Sequence, residues 1–268
     1  MADREFHARI AATMAESKGT IGKIMWRGDD LLEDENPKSP TRPCSSAVLW
    51  RYMSFEKYIS VLMQRGVFFS FPYKFEDRFE AGLPRATERR LFERLQQTMP
   101  GKEDQYEDIL RMISYSLRNL HVVSCWHEMK SESSTMWRAY ANHGAGIAVQ
   151  TSFESLQKAF KRCAEPDIRF LAGKVEYIDY DTGDISISGG MPLFYKREIF
   201  RTEHEVRITR FARANNDSPG ILCAADLDEL IHKVVVSPFS YDWEFEVVKA
   251  TTAKFNKSLV EKIDFSTQ

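Results

Sequence analysis

The chain lacks the features that mark out several protein classes. Its longest apolar runs, such as Val67-Phe68-Phe69 and Val234-Val235-Val236, are of strand length, far short of the roughly 20 residues a bilayer helix needs. No membrane span is expected. The first residues, Met1-Ala2-Asp3-Arg4-Glu5, carry acids where a secretory signal is basic, and no apolar stretch follows them, so the expected compartment is the cytoplasm. Only four cysteines occur, Cys44, Cys125, Cys163 and Cys223, too scattered for a CxxC metal or redox pair. They read as reduced thiols, with Cys125 and Cys223 as small buried hydrophobes in apolar segments. Charge of one sign is also missing: the formal net charge of -2 does not indicate a strongly basic nucleic-acid binder. There is no internal repeat and no Gly-rich phosphate loop. Gly144-Ala145-Gly146 is too short for a dinucleotide fingerprint, and no strand leads into it.

What remains is an ordinary globular composition, 43% hydrophobic and 28% charged over 268 residues, enough to bury a core without disulfides or a structural metal. Residues 8–18 have the spacing of a short amphipathic helix, and residues 27–46 are polar, acidic and proline-bearing. Residues 1–46 are therefore read as a helix and linker, and 47–268 as a single domain. Within it, strand 47–52, a helix from Phe55 to Gln64 behind the N-cap Ser54, and strand 67–71 form a first unit. Helices at 87–97 and 103–119 and a strand at 121–126 follow. A short helix bears Met136, Trp137 and Tyr140, and then come strand 146–150 and a basic helix ending near Cys163. Beyond a β-rich stretch at 168–187, strands are expected at 203–211, 230–237 and 259–263, with a helix at 243–255. The mixture predicts an α+β fold of mixed sheets with peripheral helices.

In an extended strand alternate side chains share a face, so Glu203, Glu205 and Arg207 point one way and His204, Val206 and Ile208 the other. This pattern suits a solvated strand face on which Arg207 relieves two like charges. It also suits a pair of carboxylates stabilising positive charge that develops at a sugar carbon, as glycosyl transfer requires. Arg51, inside the apolar stretch Leu49-Trp50-Arg51-Tyr52, can fork onto a phosphate or pair with a local acid. Tyr73 and Phe75 offer flat surface to a ring or fill the core. Trp137 and Tyr140, three apart on a helix, face the same way, with core packing the simpler explanation. His143 follows that helix, where a lone histidine suits a cap or solvent residue better than a general base. Lys196, Arg197, Arg201, Arg207, Arg210 and Arg213 make a basic stretch that suits a local phosphate-attracting patch beside Glu203 and Glu205, although acids are interleaved with it.

Four segments together carry a resemblance: Leu49-Trp50-Arg51-Tyr52, the run Phe68-Phe69-Ser70-Phe71-Pro72-Tyr73-Lys74-Phe75-Glu76-Asp77-Arg78-Phe79-Glu80, Met136-Trp137-Arg138-Ala139-Tyr140-Ala141, and Glu203-His204-Glu205-Val206-Arg207. Taken in order, they resemble the bacterial family called domain of unknown function 2971. Two positions depart from its pattern: Arg78 stands where that family has proline, and Gly144 where a histidine often follows the tyrosine helix. More distantly, the layout resembles ADP-ribosyltransferases, including nucleic-acid-modifying bacterial toxins. That resemblance implies a split β-sheet core and NAD as substrate. It implies Glu205 as the catalytic carboxylate, Glu203 as the first acid of a Glu-x-Glu pair, and Arg51 with Tyr52, Tyr73, Trp137 and Tyr140 as the cofactor set. The acceptor it implies is nucleic acid or protein, and an antitoxin is an implied partner. The competing expectations are a non-enzymatic partner-binding domain, or a hydrolase or nuclease for which the sequence offers no metal-ligand cluster.

Overall fold

The computed structural model describes residues 40–140, 146–163, 168–187, 190–212, 218–255 and 259–262. The helix expected at 8–18, His143, Gly144 and Arg213 lie outside them. The described chain is α+β, with one large mixed sheet flanked by helices.

The first unit forms as its composition dictates. The β-branched and aromatic run β1 (Val48–Ser54) leads into α1 (Phe55–Gln64), which closes on Arg65 in the left-handed region at φ 46 before β2 (Gly66–Ser70). Gly66 and Gly220 are required by close approach. A Cβ on Gly66 would sit 2.7 Å from the Cys223 carbonyl oxygen, and one on Gly220 2.1 Å from that of Phe69. After a 3-10 turn at Pro72–Lys74 come α2 (Arg85–Thr98), α3 (Tyr106–Asn119), β3 (His121–Glu128), α4 (Ser134–Tyr140), β4 (Gly146–Ser152) and α5 (Phe153–Cys163). The remainder comprises β5 (Phe170–Lys174), β6 (Glu176–Ile178), β7 (Tyr195–Arg197), β8 (Glu205–Phe211), β9 (Gly220–Ala224), α6 (Leu227–Leu230), β10 (Lys233–Val236), α7 (Asp242–Phe255) and β11 (Leu259–Lys262). Residues 40–46, read from sequence as linker, are held on the domain: the Lys174 amide donates to the Thr41 carbonyl at 2.7 Å and that of Glu154 to Ser45 at 2.9 Å.

The sheet divides at β3. A strand has two edges, and β8 pairs antiparallel along one of them, from His121↔Phe211 to His127↔Glu205. The other edge is shared: β1 takes its end through Trp50↔His127 and Leu49↔Glu128, while β2 takes its start through Ser70↔Val123. Between these pairings Ser124, Cys125 and Trp126 face a fork from which β1 and β2 run apart. β4, β10 and β11 continue from β1, β9 continues from β2, and β5 lies outside β8.

Alternation puts Leu49, Met53, Trp126, Val206 and Ile208 on one face, where with Tyr58 and Leu62 of α1, Leu156 and Phe160 of α5 and Val248 of α7 they form the main core. The opposite face carries two smaller apolar clusters. Val123 and Leu171 pack with Ile113 and Leu117 of α3 and with Leu193 and Phe194, while Trp50, Tyr52 and Val235 pack with Trp137 of α4. Cys125, which packs against the first of these clusters, shares this face with the polar His127, Glu205 and Arg207.

Candidate active site

Glu203 is not in the strand that alternation predicts. Residues Glu198–Glu203 form a 3-10 helix, His204 is left-handed at φ 41, and β8 begins at Glu205. The two carboxylates meet all the same, through Lys196 at the middle of β7. Its Nζ lies 2.7 Å from Glu203 Oε2 and 3.2 Å from Glu205 Oε2, with Glu80 Oε2 at 3.8 Å. Arg207 completes the group, donating through Nε to Glu205 Oε1 at 2.7 Å, through Nη2 to Glu205 Oε2 at 3.1 Å and to Glu80, and through Nη1 to the Leu193 carbonyl.

This is no solvated strand face. Arg207 is 1% exposed, Glu80 3% and Glu205 4%. Two carboxylates and one guanidinium are buried together, with Lys196 and Glu203 at their partly exposed edge, a group that survives burial only because each charge is paired. Glu80 was given no role from sequence, and Lys196 was read as part of a phosphate-attracting patch rather than as the ion-pair partner of the glutamates. Glu80 sits in one of the resemblance segments, and Lys196 in the basic stretch, but nothing local brings them together.

The electrostatics separate the two glutamates. Burial alone would raise the Glu205 pKa, but Arg207 and Lys196 outweigh it and hold the carboxyl down to about 2. For Glu203, burial wins over Lys196 and the pKa rises. Burial weighs against charge on Lys196 and Arg207 too, and their carboxylate partners reverse it in both, so both rise. The Glu203 side chain keeps 24% of its surface exposed, against 4% for Glu205. Glu203 is thus the member of the pair that reaches solvent. The Glu205 amide also donates to the Tyr177 hydroxyl at 2.8 Å.

Arg51 lies in the fork. It donates through Nη1 to Ser124 Oγ and through Nη2 to the Phe68 carbonyl at 3.0 Å, with its guanidinium 5.7 Å from the Trp126 ring centroid. One planar group thereby joins β1, β2 and β3 where they separate. Burial pulls its pKa below the ordinary value, with Cys125 and Tyr140 acting the other way. The carboxylates also act on those two residues. Burial first, and then Glu205, raise the Cys125 pKa well above the usual value. For Tyr140, burial first and Glu203 next raise the hydroxyl. Arg51 and the glutamates lie on opposite faces of the sheet, and both act electrostatically on Cys125 and Tyr140.

The other expected contacts divide. Tyr140 is half-exposed beside the cluster, whereas Trp137, three residues earlier, is fully buried and packs edge-on against Tyr52 at 4.9 Å. The two do not face the same way. Tyr52, also buried, accepts a hydrogen bond from the Ser133 amide at 2.8 Å and serves with Trp137 as the floor under α4. Tyr73 stacks on Phe71 and donates to the Ser218 carbonyl at 2.9 Å, outside the cluster. His127, which sequence reading passed over, pairs across the strands with Glu205 and donates from Nδ1 to the Glu203 carbonyl. Its signal was one further step of the β3 alternation beyond Cys125. No family model matches the chain, and no curated protein matches it.

Proposed function

We propose that the chain is an NAD-dependent ADP-ribosyltransferase of the domain-of-unknown-function-2971 type, acting on a nucleic-acid or protein acceptor. One observation carries the reading: Arg51, at the fork of a divided sheet, and the Glu203–Glu205 pair, which lies beyond β3 at the start of β8, both act electrostatically on Cys125 and Tyr140. NAD supplies the bond to be broken, between ribose C1′ and the nicotinamide nitrogen, whose electron pair leaves with nicotinamide. An acceptor oxygen or nitrogen bonds C1′ and gives up its proton to water.

The chain's residues suit that chemistry. Arg51, half-buried with a planar guanidinium, is the donor for a phosphate or ribose oxygen at the fork. Glu203 presents a carboxylate to solvent next to Tyr140, where negative charge stabilises positive charge developing at C1′ and receives the acceptor's hydrogen bond. Glu205, gripped by Arg207 and Lys196, supplies a fixed charge and holds the Lys196 that orients Glu203. The geometry thus favours Glu203 over Glu205 as the carboxylate that meets substrate. Tyr52 and Trp137 support the site from beneath rather than touch a ligand. A toxin or phage-defence role with an antitoxin partner goes with this reading.

A partner-binding domain is the second reading, favoured by the exposed Phe239, Tyr241 and Trp243 at the start of α7. Incubation with NAD separates the two. The transferase releases nicotinamide, and Glu203→Gln slows the release; a chain that neither binds NAD nor releases nicotinamide is a binding domain.

A further inference from the structure

We propose that His127 is a positioning residue whose Nδ1–H holds the Glu203 carbonyl and thereby sets where the exposed carboxylate of the pair stands. The inference rests on the transferase reading for its kinetic consequence, though not for its geometry.

Glu203 cannot reach Lys196 by strand alternation, because it lies outside the strand. Its place depends on the turn at His204, a non-glycine residue at φ 41 and ψ 50, a conformation that persists only where surrounding contacts over-determine it. Two hydrogen bonds from β3 secure this turn. The Glu128 amide donates to the His204 carbonyl at 2.9 Å, and His127 Nδ1 donates to the Glu203 carbonyl. A carbonyl oxygen only accepts, so Nδ1 carries the proton. His127 is 2% exposed and clamped between Trp50 on β1 and Glu205 on β8 by register, with Tyr52 edge-on at 6.1 Å. Its other nitrogen, Nε2, is buried and has no hydrogen-bond partner among the described residues. A buried imidazole with one nitrogen idle is there for the bond the other makes. Burial first lowers its pKa, the bond to the Glu203 carbonyl acts the other way, and His204 adds to the lowering.

Two amides distinguish the nitrogens. In His127→Asn the side-chain NH2 replaces Nδ1, and in His127→Gln it falls near Nε2 instead. Turnover of NAD and titration of the Glu203 carboxyl by NMR are measured on both variants and on the parent. The expected result is that Asn keeps nicotinamide release within about threefold and Gln lowers kcat by about 100-fold at similar KM, the cost of misplacing a reacting group by about 1 Å. The Glu203 carboxyl then titrates as in the parent for Asn and lower for Gln. Equal titration in the two variants overturns the proposal whatever the turnover. If the parent releases no nicotinamide while the Glu203 titrations still differ, the positioning role stands and the transferase reading falls.

Discussion

The Arg207 guanidinium grips both oxygens of Glu205, at 2.7 and 3.1 Å, where neither side chain meets solvent. Such a pair adds little net stability over an apolar pair of the same shape, yet losing one member strands a buried charge. Arg207→Met leaves Glu205 and Glu80 without their shared donor and is expected to cost about 3–5 kcal/mol in urea unfolding. Arg90→Ala, at the exposed pair with Asp184, costs under about 1 kcal/mol. Equal losses would mean that the cluster is not the buried unit described.

The two glutamates are expected to fail differently. Glu205→Gln weakens the grip on Arg207 and Lys196 and lowers the melting temperature. Glu203→Gln, at the solvent edge, shifts melting little but slows nicotinamide release. Calorimetry and a release assay on both variants check this, and a larger stability loss in Glu203→Gln would reverse the assignment.

Acid is expected to unfold the chain in two stages. Burial holds His121 down to about 4, so stability present above its unfolded value near 6.5 falls as pH drops from there to about 4. Glu205, held down to about 2, removes stability between its unfolded value near 4.5 and about 2. Glu203, raised by burial, works in the opposite direction. Unfolding free energies measured from pH 7 to 2 should fall throughout, with the lower limb flattened in Glu205→Gln. A lower limb unchanged in that variant contradicts the grip on Glu205.

Arg51→Lys tests the fork. An ammonium cannot reach Ser124 Oγ and the Phe68 carbonyl from one plane while lying over Trp126. The expected outcome is a KM for NAD raised about tenfold, together with a lower melting temperature. A variant with parental KM would remove Arg51 from the ligand site and leave it a strand fastener.

Much of the fold was readable because it is written locally. α1 was expected at the bounds it has, and β1, β3, β4, α5, α7 and β11 within a few residues. β7 and β9 were missed: β7 is three residues long, and β9 exists because Gly66 and Gly220 let two backbones close together. The site was half legible. The Glu-x-Glu spacing and Arg51 stood out, but the reason the glutamates meet did not. Alternation assigned them a common face, whereas a left-handed His204 and a lysine seven residues upstream bring them together. Trp137 and Tyr140 show the same limit, since three-residue spacing gives direction only roughly and one of them is core while the other borders the cluster.

The most direct measurement is nicotinamide release from NAD by the parent chain and by Glu203→Gln, with melting temperature followed in parallel. The parent is expected to release nicotinamide and the variant to do so at least about 100-fold more slowly, at nearly unchanged melting. Release that is absent in the parent, or equal in the two, would contradict this expectation.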